Sequence, residues 1–247
     1  MKKLILHIPH SSAYIPFFDG YVASNHIIEN EILKLTDWYT DELFHSEIDD
    51  MIVANFSRVF CDTERFELDE LEPMSKKGMG VLYETTDDGL KLRSINPTLR
   101  NRIITNFYFP HHLKLKRAVD YQLSNFGKAI IIDCHSLSNI PFKRDDDQDT
   151  LRSDFSIGTD NFHTPFELED LTKKYFKNFC GHVDVNKPYN GTIVSSEYYK
   201  KNKNVYSIMI EINRNLYLKE NSNLKNENFV KTKQIITNYL NKVRDIL

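Results

Sequence analysis

The sequence predicts an α/β protein with helices layered on a mixed sheet. Three observations predict it. Short apolar runs of strand type recur along the chain, amphipathic helical patterns separate them, and no Pro/Gly/Ser-rich linker or internal repeat divides the 247 residues. The last of these predicts a single domain over residues 1–247.

The elements follow in order. Leu4, Ile5, Leu6, His7 and Ile8 form a β-type run that stops at Pro9. Residues 25–44 read as one helix, with Ile28, Ile32, Leu35 and Tyr39 at helical spacing. Residues 51–56 and 59–61 read as strand material broken near Ser57. Residues 64–102 carry Gly78, Gly80, Gly89 and many charges, which predicts loops or a small hairpin. Residues 111–126 read as a helix that stops at Gly127. It leads into Ala129, Ile130, Ile131 and Ile132, an apolar run typical of a strand buried on both faces. Residues 143–148 are polar and acidic, hence a surface loop. Thr164, Pro165, Phe166 and Glu167 have the form of a capping box. The helix they start runs to about Phe179, with Leu168, Leu171, Tyr175 and Phe179 inward. Residues 205–212 are a second buried strand, and residues 226–247 an amphipathic helix burying Ile235, Ile236, Tyr239, Leu240 and Val243.

Bulk properties exclude several classes. The net charge of −3 provides no basic field for nucleic acid. Cys61, Cys134 and Cys180 are odd in number and widely spaced, so neither a disulfide framework nor a cysteine-rich zinc site is indicated. That usage suits a reducing cytoplasm. The amino-terminal apolar run breaks at His7, Pro9 and His10, too early for a signal peptide. No stretch approaches the roughly 20 apolar residues that span a membrane. The reading is a cytoplasmic protein without nucleic-acid or membrane partners.

Ligands of open α/β sheets gather at the carboxyl ends of strands. Three buried strands end in residues able to do chemistry: His10 with Ser11 and Ser12, Asp133 with His135 and Ser136, and Glu211 with Arg214. If the strands are neighbours, two imidazoles and a carboxylate converge. A catalytic zinc takes three protein ligands and keeps one open position. His10 and His135 suit it. There is no HExxH, and Asp37, read as lying on the helix after the first strand, is the candidate third ligand. Glu211 lies among Ile208, Met209, Ile210 and Ile212, where a carboxylate is costly unless paired or functional. It is either a general base beside activated water or half of an ion pair with Arg214 or another arginine. A serine nucleophile beside Ser11, Ser12 or Ser136 is disfavoured, since no Gly-x-Ser-x-Gly elbow occurs. The aspartates 145–147 lack EF-hand spacing and read as solvated. His7, His111, His112 and His163 either line the pocket or sit on loops, and the structural reading is favoured for each.

Five stretches in order resemble the N-formylglutamate amidohydrolase family: residues 8–12, 57–66, 133–136, 186–191 and 210–217. The resemblance implies a three-layer α/β/α fold with a central mixed sheet, zinc-carboxypeptidase-like and similar to aspartoacylase-type enzymes. It implies one zinc per chain, or another divalent metal, on His10, His135 and an acidic residue, for which Asp37 is the candidate. It makes Glu211 the base and Arg58 the group that polarises the scissile carbonyl. Arg65 becomes a bidentate carboxylate clamp. Ser11, Ser136, Asn186, Tyr189 and Arg214 complete the substrate site. Three features differ from the family pattern: no acidic ligand follows His10 closely, Glu64 stands where an asparagine precedes the clamp arginine, and Thr192 follows Gly191 in place of a second glycine.

The reaction implied is hydrolysis of N-formyl-L-glutamate, a small acidic N-acyl amino acid, to formate and glutamate. The alternatives are hydrolysis of another N-acyl amino acid or a peptide end, and a non-catalytic protein that binds a small carboxylate.

Overall fold

The computed structural model describes residues 3–246. Met1 and Lys2 of the amino-terminal run and Leu247 of the terminal helix lie outside them. Six strands, β1 (Ile5–Ile8), β2 (Asp50–Val53), β3 (Ala129–Leu137), β4 (Phe155–Gly158), β5 (Val183–Val185) and β6 (Val205–Asn213), form one sheet in the order β2-β1-β3-β6-β4-β5. β4 runs antiparallel to β6, and the other neighbours are parallel. The sheet is therefore mixed. β3 and β6 pair from Ala129↔Val205 through His135↔Glu211 to Leu137↔Asn213.

The helices are α1 (Asn25–Leu35), α2 (Thr40–Leu43), α3 (Pro97–Ile103), α4 (Phe109–Phe126), α5 (Phe166–Lys177) and α6 (Phe229–Ile246). Side chains alternate across a strand, so each face has its own set. One face presents Leu6, Ile8, Ile132, Cys134, Ile208, Ile210 and Ile212 to Leu168 and Phe176 of α5 and to Ile236, Tyr239 and Leu240 of α6. The opposite face presents Ile5, Ile131 and Val205 to Leu115 and Val119 of α4. Helices on both faces make three layers.

Several elements differ from the sequence reading. The helix expected over residues 25–44 ends at Leu35. Thr36 and Tyr39 leave helical geometry, Tyr39 at φ 63°, and α2 begins at Thr40. Residues 59–61 are turns, not a strand, because Phe60 and Cys61 donate back to the carbonyl of Ser57. The irregular stretch yields α3, capped by Asn96, whose side chain accepts from Leu99 N (2.8 Å). A π turn, Ile104–Tyr108, joins α3 to α4. Gly127, at φ 70°, ends α4 as expected and donates to Leu123 O (2.9 Å).

The Thr164 capping box does not form. The Thr164 hydroxyl donates to Ser207 O (2.6 Å), and Pro165 takes the cap position. At the far end of α5 Phe176 is buried and Phe179 exposed, since α5 stops at Lys177. β4 and β5 have four and three residues, too short to show a period in sequence. Among the described residues no helix is long and apolar enough to cross a membrane.

Candidate active site

The chemistry lies on the α4 face of the sheet, towards the carboxyl ends of the strands. Along that face β1 runs from Ile5 to His7, β3 from Ile131 to Asp133 and His135, and β6 from Ser207 through Met209 to Glu211. The amino-terminal halves bury apolar groups under α4, and the carboxyl-terminal halves carry titratable ones. His135 and Glu211 are register partners on neighbouring strands. They face a cavity of about 1230 Å³, whose wall includes His10, Asp37, Arg58, Arg65 and Arg214.

Asp37 reaches this cavity because α1 breaks. Its backbone N–H donates to His10 O (2.9 Å), and Thr40 Oγ1 donates to its carbonyl (2.9 Å). It is therefore a buried residue between two helices, and not the helical residue that the sequence suggested. Its Oδ2 lies 3.2 Å from His135 Nδ1 and 3.5 Å from His10 Nδ1. Its Oδ1 accepts from Arg214 Nη2 (2.9 Å) and from the Ser136 hydroxyl (3.2 Å). Burial opposes charge on Asp37, but His10, His135 and Arg214 outweigh it and hold the carboxyl well below the usual range.

These groups fit a metal ion. One ligand atom from each of His10, Asp37 and His135 lies within 4.8 Å of the other two, and both Nδ1 atoms approach Asp37 Oδ2. His10 Nδ1 is buried without a hydrogen-bond partner. The other nitrogen of each ring is held by a carboxylate: His10 Nε2 by Asp62 Oδ1 (2.8 Å) and His135 Nε2 by Asp133 Oδ1 (3.1 Å). That is the outer support that metal-binding histidines carry. Two histidines and a carboxylate are a zinc donor set.

Glu211 is buried, and its Oε2 has no hydrogen-bond partner. It is not the ion pair with Arg214 that sequence left open. Arg214 is spent on Asp37, Ser136 Oγ (3.1 Å) and Lys34 O (2.7 Å). Burial, reinforced by Asp37 and opposed by His135 and Arg214, pushes the Glu211 carboxyl up to about 8.

Arg58 donates to Asp62 Oδ2 from Nη2 (2.9 Å) and to the Tyr83 hydroxyl from Nε (3.1 Å). Arg65 is more loosely held. Its nearest anions are Asp62 at 3.6 Å and Glu72 at 3.9 Å, and its buried Nε has no partner. Tyr189 lines the cavity and donates to the Asp145 carboxylate (3.1 Å), so the loop read as merely solvated anchors a wall residue.

Two sequence candidates lie elsewhere. Asn186 ends β5 at φ 56° and spends its side chain on Thr159 N and Oγ1 (2.8 Å each), which fixes a turn. Ser11 is not among the residues that line the cavity. Arg214 and Ser136 do line it, but their polar groups position Asp37. The sequence assigns no role to Asp62, leaves Asp133 among strand-end residues without a role of its own, and favours a structural reading of His7 and His112. Asp133 and His7 had a visible signal, since they lie two residues from His135 and three from His10 on strand-type runs. His163 is structural as read, between Val205 O and Lys200 N (2.8 Å each).

Comparison with known proteins agrees with this architecture. A crystal structure of N-formylglutamate amidohydrolase from Ralstonia eutropha JMP134 superposes with TM-score 0.84, at 23% identity over 99% of this chain and 94% of that one. A gene product of Agrobacterium tumefaciens superposes with TM-score 0.67, at 16% identity over 98% and 92% of the two chains. These two are likenesses of fold. In sequence, the N-formylglutamate deformylase of Pseudomonas putida is 24% identical over 232 residues, 88% of this chain and 82% of that protein. The profile of the family described as N-formylglutamate amidohydrolase matches residues 2–218, and the chain belongs to that family.

Proposed function

We propose that the protein is a zinc-dependent hydrolase of linear amides that cleaves N-formyl-L-glutamate to formate and glutamate. The observation that carries the reading is the convergence of His10 Nδ1, His135 Nδ1 and Asp37 Oδ2 beside the unpartnered carboxyl of Glu211. The Pseudomonas putida relative, named for deformylation of this compound, supports the substrate.

A zinc ion on those three groups supplies a Lewis acid that lowers the pKa of water and polarises a carbonyl. Glu211 takes the proton of the attacking water and returns it to the departing amine nitrogen. A cation bound beside Glu211 would favour the carboxylate that the first transfer needs, and the burial that pushes its carboxyl up favours the proton that it returns. The Arg58 guanidinium, held by Asp62 and Tyr83, faces the oxyanion that develops on the formyl oxygen. Arg65 grips the glutamate carboxylate with its uncommitted donors. Asp62 and Asp133 keep the two imidazoles in ligand orientation.

The cavity favours a second reading, a bulkier N-acyl amino acid. N-formylglutamate has about twelve heavy atoms, and even at the roughly 30 Å³ that each water occupies in the liquid it fills only part of about 1230 Å³. Formate release from N-formylglutamate decides the main proposal, measured before chelation, after it, and after zinc is restored. Activity that disappears and returns supports it. Absence of both bound metal and metal-stimulated hydrolysis overturns it. A kcat/KM ranking over N-acyl amino acids decides between the two substrates.

A further inference from the structure

Beyond the His135 ring lies a second donor cluster. His135 Nε2, the nitrogen turned away from Asp37, is 3.1 Å from Asp133 Oδ1 and 3.2 Å from Glu64 Oε2. His7 Nδ1 is 2.8 Å from Asp133 Oδ1 and 3.5 Å from Glu64 Oε1. Two imidazoles and two carboxylates thus close a ring. Among the described residues, neither Asp133 nor Glu64 has a lysine or arginine as an ion-pair partner. Glu64 Oε1 is buried with no hydrogen-bond partner. Two carboxylates so placed are costly without a cation.

We propose that His7, Glu64 and Asp133 form a second divalent-cation site, separated from the first by the His135 ring. One ligand atom from each lies within 4.8 Å of the other two. One histidine and two carboxylates suit zinc, manganese or another borderline-to-hard divalent ion. The outer support is present. His7 Nε2 lies 2.9 Å from His111 Nε2, which can accept its proton and leave His7 Nδ1 with a free lone pair. Asp133 Oδ2 is fixed by Ile193 N (2.9 Å).

The site also accounts for Glu64 beside Arg65 in the wall of the cavity. A bare carboxylate there repels an acidic substrate, and a bound cation cancels that charge. The inference rests on the proposed function to the extent that it takes the first site as a metal centre.

The test is metal stoichiometry of the full chain, stripped by chelation and titrated with Zn²⁺ and separately with Mn²⁺. Binding is read by calorimetry and elemental analysis, with folding checked by circular dichroism. The wild type is expected to bind two ions of at least one metal. Glu64→Gln and His7→Gln are each expected to bind one, and Asp37→Asn one, at the second site. One ion in the wild type, kept by Glu64→Gln and His7→Gln and lost by Asp37→Asn, overturns this inference alone. In that case protons on the imidazoles close the ring. No ion in any variant overturns it together with the proposed function. The two substitutions in the second site guard against one of them failing to fold.

Discussion

Arg214 donates from Nη2 to Asp37 Oδ1 at 2.9 Å, across 177 residues of sequence. The carboxylate therefore turns its other oxygen, Oδ2, towards the two Nδ1 atoms of His10 and His135. An arginine expected to bind substrate instead orients a metal-ligand candidate. Arg214→Gln is expected to weaken zinc binding about 10–100-fold, the usual cost of losing outer-shell support. Titration against a competing chelator checks it. Unchanged metal affinity with a raised KM would return Arg214 to the substrate.

Glu211→Gln separates proton transfer from metal holding. The amide keeps the shape of the side chain and cannot accept the proton of water. The variant is expected to retain its zinc while kcat falls about 10²–10⁴-fold. Elemental analysis and formate release measure the two. Zinc lost together with turnover would make Glu211 a ligand.

His112 makes the folded state sensitive to acid. Burial, with the charge of His7 added, pushes its imidazole down to about 4, whereas an unfolded chain binds that proton near pH 6.5. Between those values the unfolded state holds the extra proton, so stability falls as pH drops from about 6.5 to about 4. The loss attributable to this ring is on the order of 2 kcal/mol, discounted for its partial exposure. Urea denaturation across that range should show the slope, and His112→Phe should flatten it.

Gly158 fixes how closely β4 approaches the cavity wall. A Cβ there would sit 2.2 Å from Gly191 O and 2.4 Å from the Met209 methyl. Gly158→Ala is expected to cost about 1–3 kcal/mol, as overpacking does. Because Gly191 and Met209 both line the cavity, it should also raise KM. Wild-type stability and KM in this variant would show that the wall yields freely.

In the proposed metal centre, removal of the ion would leave a carboxylate and two buried imidazoles facing one another. The stripped protein is expected to lose activity and to melt at a lower temperature, and zinc should restore both. The gain should grow with free zinc as RT ln(1 + [Zn]/Kd). A melting temperature unmoved by zinc would argue against a site built in the folded state.

Much of the fold is legible along the chain. The apolar runs at 4–8, 129–132 and 205–212 are β1, β3 and β6, and the amphipathic tail is α6, because burial on both faces or on one stripe leaves a local pattern. β4 and β5 leave none, being short. The helix over residues 25–44 failed at Thr36 because the break is held by the Asp37–His10 backbone bond, a contact that helical spacing cannot reveal.

The layered class, the family motifs and the candidacy of His10, His135 and Glu211 are legible in the chain alone, since each of these residues sits at the end of a run whose apolarity can be read locally. What each polar group touches is set by folding. Folding turned Asp37 inward, gave Arg214 to Asp37 instead of Glu211, left Glu211 Oε2 without a partner, and set Glu64 against His7 and His135. The physical reason is that burial is recorded in the pattern of a segment, whereas a buried charge is satisfied by partners that only folding brings within hydrogen-bond reach.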